Sequence, residues 1–494
     1  MAPCHAGELV MVDIEGRHLD AASADFLRTN RVRAVCLFRK NLGSENDVRR
    51  LTAELHAVLG PQALIALDQE GGSVVRATFL PQAPAAMALG AAADEALAEQ
   101  VGAAVARGLR ALGINWNFAP VLDINNNPAN PVIAERSFGA DAQTVTRLAR
   151  AWMRGSLAEG VACCVKHFPG HGDTHVDSHH ALPAVHKTLA ELEALELRPF
   201  RALAAQAPAM MTAHIVYPRI DAEHPATLSK AMLTDVLRQR LRYDGVVITD
   251  ALMMRAVHER YGHARAAVLA LQAGADMVLA QGSRAEQAAT LQAVASALAD
   301  GRVDAVRAYQ ARQRLDALAA AYPAVPRTYA APERDADDAL MHTAWARALS
   351  IVGAARAPAR DARLRVFMQG RVDSDGVSEA GVAADAVKAL FGAFGDVEFV
   401  AVDELRLLRN EQMAQDDRRN IVVSNHRARY AAAARPLRAA LHITLWNPFQ
   451  VLDIAAPALV SWGHADGALA AVRAWLEGRA DAPGRPPVPL QPAA

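Results

Sequence analysis

Gly245-Val-Val-Ile-Thr-Asp250 runs directly into Ala251-Leu-Met-Met254. An uninterrupted apolar run, without polar alternation, describes a strand buried on both faces. The residues after Asp250 read as an apolar helix start. Seven further runs of this kind flank the first: Leu9–Ile14, Ala34–Phe38, Ala63–Leu67, Asn115–Leu122, Val161–Val165, Ala209–Ala213 and Asp276–Ala280. Between them lie Ala- and Leu-rich stretches that fit helices, such as Ala92–Leu112 and Ala264–Ala273. Eight strand–helix units over roughly 320 residues fit a (β/α)8 TIM-type barrel with long loops. A doubly wound open sheet is the competing α/β architecture, and the unit count and length favour the barrel.

The pattern breaks at Tyr322-Pro-Ala-Val-Pro-Arg-Thr-Tyr329, which with Pro332 reads as a Pro-rich connector. A helix-like stretch, Asp338–Leu349, leads into a second α/β series. Its strand candidates are Ser350–Gly353, Leu364–Met368, Val397–Val402, Ile421–Ser424, His442–Trp446 and Leu459–Trp462, with helices at Gly381–Phe394 and Ala468–Glu477. The expectation is a barrel over residues 1–335. A linker helix and a smaller α/β sandwich domain would fill 336–494, ending in a Pro-rich tail that packs as an extended strand or frays.

The chain has 494 residues, too many for one ordinary core. It is 52% hydrophobic and 21% charged, as globular proteins are. A formal net charge of -1 gives no electrostatic reason to expect nucleic acid or a membrane surface as partner. No apolar run is long enough to span a bilayer. The first residues lack a basic segment followed by an apolar stretch, so no signal peptide is expected. Cys4, Cys36, Cys163 and Cys164 show no metal-ligand spacing. They suit a reduced, cytoplasmic protein.

In such a barrel the strand ends and the loops after them build the active site, and the unusual polar residues fall there. The third run is followed by Asp68-Gln-Glu-Gly-Gly-Ser-Val-Val-Arg76, and the fourth by Asp123 and then Glu135-Arg136-Ser. The fifth leads into Lys166-His167-Phe-Pro-Gly-His171-Gly-Asp173-Thr-His175-Val-Asp177-Ser-His179-His180. The sixth ends at His214 and the seventh at Asp250. Asp250 has two readings: a helix N-cap, or an ionised carboxylate at the barrel mouth able to attack a sugar carbon. His167, His171, His175 and His179 are spaced four apart, which on a helix would suggest a metal site. Phe168-Pro169-Gly170 and Gly172 argue against a helix, so that reading loses its geometry. Asp177-Ser-His179 offers another chemistry, because a carboxylate beside an imidazole orients it and favours its protonated, general-acid form. A solvated loop with incidental histidines is the plain alternative.

At these residues the chain resembles glycoside hydrolase family 3, specifically its bacterial β-N-acetylglucosaminidase branch, associated with peptidoglycan recycling. The carriers are Asp68-Gln-Glu-Gly-Gly, Lys166-His-Phe-Pro-Gly-His-Gly-Asp-Thr, Asp177-Ser-His179 and Ile248-Thr-Asp250-Ala-Leu-Met, in the family's order along the barrel. Through Thr444-Leu-Trp-Asn-Pro-Phe449 and the closing helix, the second domain is similar to the family's α/β sandwich. The resemblance implies Asp250 as nucleophile and His179, backed by Asp177, as acid/base. It implies Asp68, Arg76, Arg136, Lys166 and His167 as holders of the terminal sugar, with His214 and Asp123 lining the pocket. No cofactor and no metal are implied. The expected partner is a glycoside containing N-acetylglucosamine, the expected state a monomer or homodimer.

Three other classes are weighed beside it. A phosphorylase shares the same residues, since an imidazole acid/base tolerates phosphate as acceptor. A metal-dependent barrel hydrolase would use ligands from several strand ends, often His-x-His at the first, yet that run ends Val12-Asp-Ile-Glu-Gly16. A non-catalytic sugar-binding protein is expected to have lost Asp250 or the Asp177–His179 pair.

Overall fold

The computed structural model describes residues 4–175, 182–374, 378–413, 416–430 and 437–491. Eight of the short apolar runs form strands: β1 Val10–Val12, β2 Ala34–Leu37, β3 Leu64–Leu67, β4 Trp116–Asn117, β5 Ala162–Phe168, β6 Ala209–Thr212, β7 Val246–Ala251 and β8 Met277–Ala280. They close into a barrel in sequence order, β1 pairing with both β2 and β8, every pair parallel. Both faces of each strand are covered, which is why the runs carry no polar alternation.

The strand ends depart from the apolar runs in informative ways. β4 stops at Asn117, well short of Leu122. Pro120 has no N–H for the ladder, and the chain continues beside β5 through isolated bonds, such as Leu122 N–H to the Lys166 carbonyl at 2.6 Å. β5 instead runs on to Phe168, so Lys166 and His167 lie inside a strand. The helix expected over 92–112 forms as Glu95–Ala111, and a separate short helix, Ala86–Ala92, precedes it. Ala93 between them is left-handed, with φ of 53°. Asp94 caps the second helix by accepting from the Leu97 N–H at 3.0 Å.

Pro332 is not connector. It lies in the first turn of a helix, Ala331–Ala348, where a missing N–H costs nothing. This helix fastens to the barrel. Its Asp337 carboxylate takes the Arg107 Nε at 2.9 Å, and the Trp345 indole donates to the Gln82 carbonyl at 3.1 Å.

The second sheet has six strands: β9 Ser350–Val352, β10 Leu364–Gln369, β11 Val397–Val402, β12 Arg419–Ser424, β13 Leu441–Thr444 and β14 Ala458–Val460. Their order is β9-β14-β13-β12-β10-β11, with only the β9–β14 pair antiparallel. The helix Asp466–Leu476 covers one face through Val472 and Leu476. The tail packs in extended form: Gly484 N–H bonds the Leu349 carbonyl at 2.9 Å, and the Pro487 carbonyl accepts from Ala140 at 3.2 Å. No helix among the described residues is long and apolar enough to cross a membrane.

Candidate active site

A cavity of about 340 Å³ opens at the C-terminal ends of the barrel strands. Asp68, Arg76, Arg136, Lys166, His167 and Asp250 all line it. Asp177 and His179 lie outside the described residues.

The loop after β3 brings Asp68, Glu70 and Arg76 to the cavity because it is closed from within. Gln69 Oε1 accepts from the Arg76 and Ala77 amides at 2.9 and 3.1 Å, and Asn117 clamps both backbone groups of Gln69 at 3.0 Å. Gly71 and Gly72 make the turn at φ of 110° and 60°. A side chain at Gly71 would meet the Pro84 carbonyl oxygen at 2.4 Å, so glycine is required there.

Charge is concentrated on one wall. Lys166 Nζ lies 2.7 Å from Asp68 Oδ1 and 2.6 Å from Glu70 Oε1. Arg136 grips Glu70 with two bonds, Nε to Oε2 at 2.9 Å and NH2 to Oε1 at 2.8 Å. Arg76 NH2 stands 3.7 Å from the other oxygen of Asp68. Burial raises the Glu70 carboxyl, but Arg136 and Lys166 outweigh it and hold it well below the usual carboxylate range. Burial also lowers Lys166, and Asp68 and Glu70 reverse that, so the ammonium stays charged. Sequence reasoning does not single out Glu70. Its motif neighbour Asp68 is legible, but nothing in the spacing shows that one carboxylate serves both Arg136 and Lys166.

His167 is held from behind. Its Nδ1 lies 2.7 Å from Asp123 Oδ2, while Asp123 Oδ1 accepts the His167 and His171 amides at 3.2 and 2.7 Å. Asp123 is therefore fully buried as a support, and it does not line the cavity as expected. Burial would raise its carboxyl, but the net shift is downward, led by His167. His171, which does line the cavity, meets the His167 ring edge-on at 5.8 Å. His214, expected at the cavity, does not line it either. It is wholly buried, bonded to Thr227 Oγ1 at 2.8 Å and to the Ala251 carbonyl at 3.0 Å, bracing the end of β7 instead of facing the cavity. The four-residue histidine spacing never becomes a helical face, since residues 169–175 are not helical.

Asp250 is not a helix cap. It lies within β7, half-buried, and the next helix, Arg255–Tyr261, begins five residues later with Met254 at its N-cap. The Ala251 amide donates to Asp250 Oδ1 at 2.8 Å. Met211, Phe118 and Gln281 complete the walls around it.

The second sheet domain reaches the same rim. Trp446 Nε1 donates to the buried Glu135 Oε1 at 2.7 Å, which also accepts from Ser73 Oγ at 2.6 Å. Glu379 N–H bonds the Ser73 carbonyl at 2.8 Å, and Arg427 reaches the Val132 carbonyl at 3.3 Å.

A strand-end cavity with carboxylates, cations and an imidazole from separate strands is a hydrolase's equipment, and comparison with known proteins agrees. Residues 4–318 match the glycosyl hydrolase family 3 N terminal domain. The chain is 42% identical to a β-hexosaminidase of Chromobacterium violaceum over 296 residues, 58% of this chain and 82% of that one. A β-hexosaminidase of Pseudomonas aeruginosa is 38% identical over 288 residues, 58% of this chain and 86% of its own. Among solved structures, a family 3 β-N-acetylglucosaminidase from Paenibacillus sp. str. FPU-7 superposes with a TM-score of 0.86 at 33% identity, covering 99% of both chains. With the barrel and the greater part of its length matched, this chain belongs to glycosyl hydrolase family 3 and is a glycoside hydrolase.

Proposed function

We propose that the chain is an exo-acting, retaining β-N-acetylglucosaminidase. It removes terminal β-linked N-acetylglucosamine, and its natural substrates are muropeptides recycled in the cytoplasm. The observation that carries this reading is one cavity holding Asp250 at the end of β7 together with the Asp68–Lys166–Glu70–Arg136 network. The sugar itself is suggested by the relatives, which are named β-hexosaminidase and β-N-acetylglucosaminidase.

Asp250 attacks the anomeric carbon and forms a glycosyl ester. Protonated His179, oriented by Asp177, gives its proton to the leaving oxygen. Neutral His179 then takes a proton from water, whose oxygen displaces Asp250 and frees the sugar with retention. Asp68 accepts bonds from sugar hydroxyls, and Arg76, Arg136, Lys166 and His167 complete the grip. Buried groups matched to hydroxyls discriminate strongly, because a wrong sugar leaves them unpaired. An imidazole acid also suits an anionic substrate, since it brings no second negative charge beside muramic and peptide carboxylates. The barrel of residues 1–335 carries this chemistry, and residues 336–494 support its rim.

Hydrolysis of an aryl β-N-acetylglucosaminide beside the matching aryl β-glucoside, with and without chelator, tests the reading. Clear preference for the N-acetyl substrate, unaffected by chelator, is expected. Preference for the glucoside overturns the specificity and the role of His179. In phosphate buffer the product is free sugar; sugar phosphate would make the enzyme a phosphorylase.

A further inference from the structure

Away from the cavity, His258, His263 and Glu286 bring one ligand atom each to within 4.8 Å of one another. They come from three elements: His258 from the helix Arg255–Tyr261, His263 from the start of the helix His263–Ala273, and Glu286 from the first turn of Arg284–Ala299. The two imidazoles meet edge-on, 4.4 Å between centroids.

Two further features point to a ligand. His263 is only 8% exposed, and its Nδ1 has no hydrogen-bond partner among the described residues. A buried ring nitrogen left unpaired is costly, and an ion or water is its usual explanation in a native fold. Glu286 caps its helix through Oε2, which accepts from Ser283 N–H at 2.8 Å and Ser283 Oγ at 2.7 Å, and this leaves Oε1 for another partner. Two imidazoles and a carboxylate suit a borderline-soft divalent cation, whereas Mg²⁺ and Ca²⁺ prefer all-oxygen sets.

We propose that His258, His263 and Glu286 form a binding site for a divalent cation of the zinc class, with water as the fourth ligand. Tetrahedral zinc needs ligand atoms about 3.4 Å apart, and the exposed side chains of His258 and Glu286 rotate to close that gap around the buried His263. The site ties together the two segments that leave β7 and β8. Met253, Met254 and Arg255 just before His258, and Gln281 just before the Ser283 cap, all line the cavity. A bound ion therefore braces the wall behind Asp250 without entering the reaction.

The test uses the full chain, stripped by chelator and dialysed, then titrated with Zn²⁺ by calorimetry and followed by thermal melting. His258→Ala and Glu286→Gln are compared, both at exposed positions, with folding checked by circular dichroism in metal-free buffer. Wild type is expected to bind zinc and to melt higher with it. Losing an outer-shell partner alone weakens metal sites about 10–100-fold, so each variant should lose at least that much affinity and its melting shift. Variants that bind zinc as wild type does would overturn the proposal and put the metal on the histidines after β5. Absence of binding in wild type, or equal binding of Mg²⁺, would overturn it as well. Glycoside turnover is assayed separately, so this result and the substrate assignment stand or fall apart.

Discussion

At Glu70 a buried carboxylate serves two cations at once, Arg136 and Lys166. Because its folded pKa is depressed below the ordinary 4.5, its stabilising contribution is present above that range and is lost as pH falls through the lowered value. Glu70→Gln keeps the shape and removes the charge. Breaking a buried pair costs about 3–5 kcal/mol, and Asp68 still holds Lys166, so the lower end is expected in urea denaturation. The catalytic efficiency should fall as well, through a misplaced Lys166. At Asp250, replacement by Ala should abolish turnover on any glycoside; appreciable residual activity would point to another nucleophile. His179→Ala should lose most activity on substrates with poor leaving groups and far less on activated aryl glycosides, and equal losses would contradict its general-acid role. Asp68, Arg136 and Lys166 are legible in the sequence because they sit in compact motifs at strand ends. Glu70 is two residues from Asp68 and is not, since spacing along a loop says nothing of which way a carboxylate points.

The loop after β5 is seated by backbone packing. A side chain at Gly172 would come within 1.7 Å of the Ile124 carbonyl oxygen in the loop after β4. Forcing such contacts costs about 1–3 kcal/mol through backbone shifts. Gly172→Ala should therefore lower the melting temperature and, by displacing His171 and the residues beyond it, reduce activity more than stability predicts. A variant with wild-type kinetics would show that the loop's seat is unimportant. The prolines and glycines here exclude a helix from sequence alone. The extension of β5 through Phe168 is not readable, because Lys166 and His167 look like loop residues until Asp68, Glu70 and Asp123 are seen to satisfy them in the barrel interior. Asp250 is the same case. Its position before an apolar run fits an N-cap equally well, and only the register of β7 removes that choice.

Across the whole molecule, the two sheets meet beside the cavity rim through Glu135. Burial holds its carboxyl above 4.5, and Trp446 and Ser73 both donate to it. Trp446→Phe removes one donor from a buried acceptor, worth about 1–3 kcal/mol, and should also raise KM, because Arg136 is the next residue. An unchanged KM would separate the docking of the second domain from substrate binding. The second domain should also be sensitive to acid. Burial drops His442 to about 3 and His464 to about 4 from 6.5. Both are neutral when folded and protonate on unfolding below 6.5, so stability is lost as pH falls from 6.5 toward those values. At pH 5 each contributes about 2 kcal/mol of destabilisation. Glu135 titrates in the opposite sense, so the measurement is a difference. His442→Gln should flatten the fall in melting temperature between pH 7.5 and 5 relative to wild type.

What the sequence determines by itself is the sum of local signals: eight apolar runs at helix-separated intervals, polar residues at their ends, and a connector before a second α/β series. These follow from periodicity and composition, which act over a few residues at a time. What only the tertiary structure decides is which groups share a charge and which face a cavity. Glu70 joins Arg136 to Lys166 across 66 and 96 residues of chain, Asp123 and His214 turn inward as braces, and Trp446 reaches Glu135 from another domain. Those pairings are set by barrel closure and domain docking. They arise because a buried charge or polar group must find its partner wherever the fold delivers one.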